Sequence, residues 1–143
     1  MYLRFKLNQN QGGHSLSVVG SSPSIGSWAP KNSLKFKATT EGFFTDEVEM
    51  TDVIDVRDIQ YKYTMQHNAD KTEWETGENR RINLEKYFHQ ARRISDPDTV
   101  LQVTVEDKGF NYKSDNYPKI KTKEITIQKD TMRQVMQVNM VQE

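Results

Sequence analysis

The sequence predicts an all-β fold, an antiparallel sandwich or barrel, on three observations: short runs in which apolar and polar residues alternate, turn formers between those runs, and almost no segment with helical spacing. Leu3, Phe5 and Leu7 alternate with Tyr2, Arg4 and Lys6, so Met1 to Leu7 makes a strand with one core face and one wet face. Leu16 to Val19 is a second strand that runs into the turn formers Gly20, Pro23 and Gly26. Leu34, Phe36 and Ala38, interleaved with Lys35 and Lys37, give a third, and a weaker run follows at Phe44 to Met50. In Ile59 to Met65 the residues Ile59, Tyr61, Tyr63 and Met65 face one way, which leaves Lys62 pointing outward. Arg81 to Leu84 is a short candidate, Val100 to Val105 a longer one, and Ile125 to Gln128 the last. Helical spacing occurs at Leu84, Tyr87, Phe88 and Ala91, and the segment Leu84 to Arg93 is a helix or a loop insertion between strands. Residues 109–122 read as loop, and in the terminal segment Met132, Val135, Met136 and Met140 fit a helical stripe whereas Met136, Val138 and Met140 fit a strand.

Length and composition bound the function. A chain of 143 residues is the size of one domain with a core of its own. Lys plus Arg and Asp plus Glu both total 20, so no overall field draws in nucleic acid or an anionic membrane. The absence of cysteine excludes disulfides, thiolate metal sites and cysteine nucleophiles. MYLRFKL alternates rather than forming an apolar leader, and no run is long enough to span a bilayer, so the expectation is a soluble, cytoplasmic protein.

Catalytic constellations are missing. His14, His67 and His89 have no metal-ligand spacing and read as surface or satisfied histidines. Gly13-His14-Ser15-Leu16-Ser17 has Ser17 where a nucleophile elbow needs its second glycine. Asp52, Asp55 and Asp58 are too irregular for a calcium loop, and the basic cluster Arg80, Arg81, Lys86, Arg92 and Arg93 reads as a solvated face. No enzyme, cofactor or metal is expected.

The two tryptophans carry the signal. Trp28 lies in a proline- and glycine-rich turn and Trp74 sits between Glu73 and Glu75, so neither belongs to an apolar run. Two indoles on loops beside amide and ammonium groups suit a pyranose, which presents an apolar C–H face to an aromatic ring and hydroxyls to Lys and Asn. Burying ~150 to 250 Å² of indole at ~25 cal/mol per Å² contributes at most a few kcal/mol each. Lost motional freedom cancels much of that, which predicts weak binding, roughly micromolar to millimolar.

VVGSSPSIGSWAP, QYKYTM and EWETGENR, in that order and spacing, resemble landmarks of the family-20 carbohydrate-binding modules, the starch-binding domains. The resemblance covers roughly residues 1–106 and implies an antiparallel, immunoglobulin-like β-sandwich that binds α-glucans such as starch, amylopectin or glycogen. It implies that Trp28 and Trp74 are the stacking pair and that Lys62 and Asn79 hydrogen-bond sugar hydroxyls. The neighbourhood of Gly12 and His14 lacks the tyrosine of the family's second glucan site, so that site is expected to be absent. Asp52 to Asp58 and Glu85 to Pro97 read as insertions, and residues 107–143 as a C-terminal extension outside the family pattern. The extension motivates an alternative: an accessory subunit that uses the fold as a scaffold and docks through 107–143 on a larger assembly, for example cytoskeletal or ciliary. On that reading, removing 107–143 leaves the sandwich intact.

Overall fold

Strand β1 (Tyr2–Leu7) is the seam of the fold, because it pairs on one side in parallel with β9 (Thr99–Asp107) and on the other antiparallel with β4 (Gly42–Thr45) and β5 (Val48–Glu49). The computed structural model describes residues 1–9 and 15–127. Around the seam the strands follow the order β10-β9-β1-β4-β3-β2-β6-β7, with β8 added beside β6. The remaining strands are β2 (Ser15–Gly20), β3 (Leu34–Thr39), β6 (Ile59–Asn68), β7 (Lys71–Trp74), β8 (Arg80–Ile82) and β10 (Lys119–Thr126). Strand β3 joins β4 on one side and β2 on the other, and so connects the two layers. The expected all-β sandwich is what the chain forms; β1–β9 is the one parallel pair among the described strands, which makes the sheet mixed rather than purely antiparallel.

The core follows from period-two alternation. Leu3, Phe5 and Leu7 of β1 and Leu101, Val103 and Val105 of β9 are buried against Leu16 and Val18 of β2 and Tyr61, Tyr63 and Met65 of β6. Phe5 and Tyr61 meet across the layers with ring centroids 5.3 Å apart. The Leu84–Arg93 segment resolves as a helix, α1 (Glu85–Arg92). Its first amide, Glu85 N, donates to Asn83 Oδ1 at 2.9 Å, and Leu84 and Phe88 anchor it in the core. Val53–Val56 is a short 3₁₀ turn whose start is capped by Asp52, which accepts from Ile54 N.

Residue 107 is not where the sandwich ends. Asp107 and Phe110 are buried, and β10 pairs with β9 over eight positions from Lys119↔Glu106 to Thr126↔Thr99. The loop-like reading of residues 109–122 missed the start of β10 because the strand lies at the sheet's edge. There Lys119, Lys121 and Lys123 stand where an interior strand would carry apolar residues. Strand β7 was illegible for the same reason. The Met132 to Met140 stripe, Gln128, Gly12 and His14 lie outside the described residues.

A chain ending at Glu106 forfeits a buried carboxylate, a buried Phe and a whole paired strand. It is expected to lose its cooperative thermal transition by circular dichroism. A midpoint equal to that of the full chain would show that the sandwich closes without these residues.

Candidate functional site

The turn after β2 is held by its own backbone. Ile25 N and Ser27 N donate to Ser22 O, Gly26 N donates to Pro23 O, and Trp28 N returns to Gly20 O at 2.9 Å. Ile25 is buried and pins the turn to the core. Gly26 has φ +92°, and a Cβ there would sit 2.8 Å from Asn32 O, so only glycine fits. Ser27 (φ 48°) and Trp28 (φ 65°) are also left-handed, a conformation that non-glycine residues adopt at a cost of order 1–3 kcal/mol and that clusters at ligand sites. The strain throws the Trp28 indole out of the line of β2.

Trp74 is not on a loop, as its polar neighbours suggested, but is the last residue of β7, opposite Thr64 of β6. Alternation then explains the charged flank: Trp74 points outward and is 36% exposed, while Glu75, one position on, points inward and is buried. The two indoles meet at a centroid separation of 6.4 Å and an interplanar angle of 41°. They form one tilted aromatic platform on the outer face of the sheet.

Behind the platform runs the loop 75–79, whose carbonyls are held from two sides. Lys62 Nζ donates to Glu75 O (2.9 Å) and Gly77 O (2.7 Å); Lys113 Nζ donates to Thr76 O (3.0 Å) and Glu78 O (2.8 Å). Two ammonium groups thus take four successive carbonyls alternately. Asn111 Oδ1 accepts from Thr76 N, and Asn79 Nδ2 donates to Gln60 Oε1 at 3.0 Å. Of the residues the sequence singled out, Trp28, Lys62, Trp74 and Asn79 are thus brought to one side of the sheet. The terminal groups of Lys62 and Asn79 are already engaged with protein.

The inward side of that loop ends in a buried charge network. Arg80 grips Glu75 with two bonds, Nε to Oε1 at 2.9 Å and Nη2 to Oε2 at 2.6 Å, and reaches Asp107 Oδ1 through Nη1 at 3.1 Å. It also donates to the carbonyls of Gly109 and Tyr112. Glu75 accepts from the amides of Tyr63 and Asn111, and Asp107 Oδ2 accepts from the hydroxyls of Tyr61 (2.8 Å) and Tyr63. Burial pushes Asp107 above the ordinary carboxylate range, even though Arg80 and the two hydroxyls pull the other way. Burial alone would lower Arg80, but bonding to Glu75 and the field of Asp107 outweigh it and raise the guanidinium further. Tyr61 and Tyr63 are raised well above their usual value, first by burial and then by neighbouring groups including Asp107.

A family model described as "starch binding domain" (CBM_20) matches residues 1–93. The chain belongs to that family. It is a family of non-catalytic binding modules. Solved structures similar to this starch-binding domain include Hormoconis resinae glucoamylase at 21% identity and TM-score 0.47, covering 58% of this chain and 14% of that one. Another is the family 20 module of the maltotetraose-forming amylase of Pseudomonas saccharophila STB07, at 18% identity and TM-score 0.44, covering 58% and 89%. A third is the family 15 glucoamylase of Hypocrea jecorina, at 16% identity and TM-score 0.49, covering 76% and 17%. The starch-binding domain therefore spans about 14% of the glucoamylase it is first matched to. No curated protein matches it.

Other candidate groups of the starch-binding domain disperse. His67 pairs with Glu73 (2.7 Å) and His89 with Glu85 (3.3 Å). The basic cluster splits, with Arg80 buried in the network, Arg81 on Asp58, and Lys86 and Arg92 over the rings of Tyr87 and Phe88. Among the described residues no cluster of His, Asp or Glu is arranged to hold a metal, and no helix is long and apolar enough to cross a membrane. Lys113, Asn111 and Asp107 were not anticipated. Asp107 had a signal, since it is the next inward position after Leu101, Val103 and Val105; Lys113 and Asn111 had none.

Arg80→Met leaves two like charges buried without their partner and is expected to cost about 3–5 kcal/mol in urea denaturation. Lys113→Met frees two carbonyls at the surface, so stability should fall by less than ~1.5 kcal/mol while amide exchange in residues 76–79 accelerates several-fold. Asp107 holds its proton to higher pH in the folded chain than in the unfolded one. Its contribution to stability is therefore full below the ordinary carboxylate range and is lost as pH rises through the raised folded value. Carboxyl NMR should find Asp107 titrating above the exposed aspartates.

Proposed function

We propose that this starch-binding domain binds α-glucan, with Trp28 and Trp74 stacking on successive pyranose faces and Lys62 and Asn79 bonding sugar hydroxyls at the edge of the platform. The observation that carries the reading is the 6.4 Å approach of two outward-facing indoles, 41° from parallel. A flat ligand would need parallel rings; a chain that curves from one unit to the next meets tilted ones. Lys62 retains one ammonium hydrogen beyond its two carbonyl bonds, and Asn79 retains its Oδ1 and a second amide hydrogen. Both are held in place before ligand arrives, which reduces the ordering cost of association. The shallow setting is consistent with weak single-site affinity, raised by avidity on a polymer.

In affinity electrophoresis through amylopectin the chain should be retarded, and Trp28→Ala with Trp74→Ala should abolish the retardation. Wild-type mobility unaffected by the polysaccharide would sink the reading. Lys62→Met and Asn79→Ala should each weaken maltoheptaose binding about threefold to tenfold by tryptophan fluorescence.

A further inference from the structure

A cleft of about 360 Å³ opens on the same sheet face as the tryptophans, lined by Ser17, Lys31, Lys35, Thr64, Gln66 and Thr72 among others. Its volume falls within the range of small-molecule sites. Cross-strand register fixes its position. Ser17 lies opposite Thr64 and Thr64 opposite Trp74, while Gln66 lies opposite Thr72. Directly opposed residues project on one face with Cβ atoms about 4.5–5.5 Å apart. The row Ser17–Thr64–Trp74 therefore leads from the aromatic platform straight into the cleft. Pro30, two residues beyond Trp28, lines the same cleft, so the turn that carries one indole also forms part of its wall.

The chemistry of the walls is unusual for a sheet surface. Ser17 and Thr64 are largely covered by their neighbours but line the cleft, and neither hydroxyl bonds to another described residue, so both are open to what enters it. A hydroxyl on the floor of a cleft exchanges a bond to water for one to a ligand hydroxyl, and the geometry of that exchange decides whether a sugar is favoured over water. Thr72 Oγ1 donates to Gln66 Oε1 at 2.7 Å, which leaves the Thr72 oxygen free to accept. No carboxylate lines the cleft, and its charged groups are two lysine ammoniums, which donate without accepting. Hydroxyls that donate and accept, an amide, and ammonium donors complement a neutral polyol.

Resting on the glucan reading above, we infer that this cleft is a second stretch of the same binding site. It takes the glucose units of an α-glucan beyond those stacked on Trp28 and Trp74, through the Ser17 and Thr64 hydroxyls. The platform then serves any short maltooligosaccharide, and the cleft confers preference for longer chains.

The test compares maltose with maltoheptaose by calorimetric titration of the full chain, for wild type, Ser17→Ala with Thr64→Val, and Trp28→Ala with Trp74→Ala. Both cleft substitutions remove a hydroxyl with little change of shape, and thermal melts check that the fold is kept. The expected result is that the cleft variant binds maltose as wild type does but maltoheptaose about fivefold to tenfold more weakly, whereas the tryptophan variant loses both. If the cleft variant keeps the wild-type ratio of maltoheptaose to maltose affinity, the cleft proposal is overturned and the platform stands. If wild type binds neither sugar, the glucan reading falls and the cleft proposal with it.

Discussion

The Arg80 guanidinium, buried between Glu75 and Asp107, is the constraint on which the molecule depends. Two carboxylates and one cation leave a net negative charge in the interior, tolerable only because every oxygen is bonded. Glu75 takes two bonds from Arg80 and two from backbone amides, and Asp107 takes one from Arg80 and two from tyrosine hydroxyls. The network ties the residue after β7, the start of β8 and the first half of β6 to the end of β9, more than twenty-five residues further along the chain. Its energetic return as a set of ion pairs is modest once desolvation is counted. Its geometric return is larger, because Glu75 can reach Arg80 only if Trp74, its neighbour, faces the other way.

That coupling places the aromatic platform. On an extended backbone two adjacent residues cannot share a face. Burying the acid therefore obliges the indole to stand outside, where Trp28 meets it from a turn that carries three consecutive left-handed residues, Gly26, Ser27 and Trp28. One indole is positioned by charge satisfaction in the core and the other by a turn anchored through Ile25. The platform exists where the two devices converge.

Much of this was legible in the sequence. Alternation gave β1, β2, β3, β6 and β9 because each buries one face, and the indoles were conspicuous because each lacked apolar neighbours. Strand β7 and the first part of β10 escaped because they lie at the sheet's edges, where main-chain pairing alone defines a strand and the side chains carry little alternating signal; only the end of β10 was read, as a strand from Ile125. The place of Trp74 on a loop was misjudged for the same reason. The burial of Glu75 and the pairing of Asp107 were not anticipated, since composition cannot show that an acid lies against an arginine. Lys113 and Asn111 act over more than thirty residues of separation. Such contacts are a property of the folded chain and leave no local trace.

The alternate hold of Lys62 and Lys113 on four carbonyls bears on how this loop tolerates substitution. Both ammoniums recognise main-chain oxygens, which every amino acid carries, so the path of residues 75–78 is specified from outside the loop. Thr76 and Glu78 are exposed and free to drift in identity without altering the route the chain takes, whereas Gly77, at φ +81°, is not. A change at position 113, on a segment with no aromatic of the platform, would reshape the loop behind Trp74 while leaving every residue of the loop itself untouched.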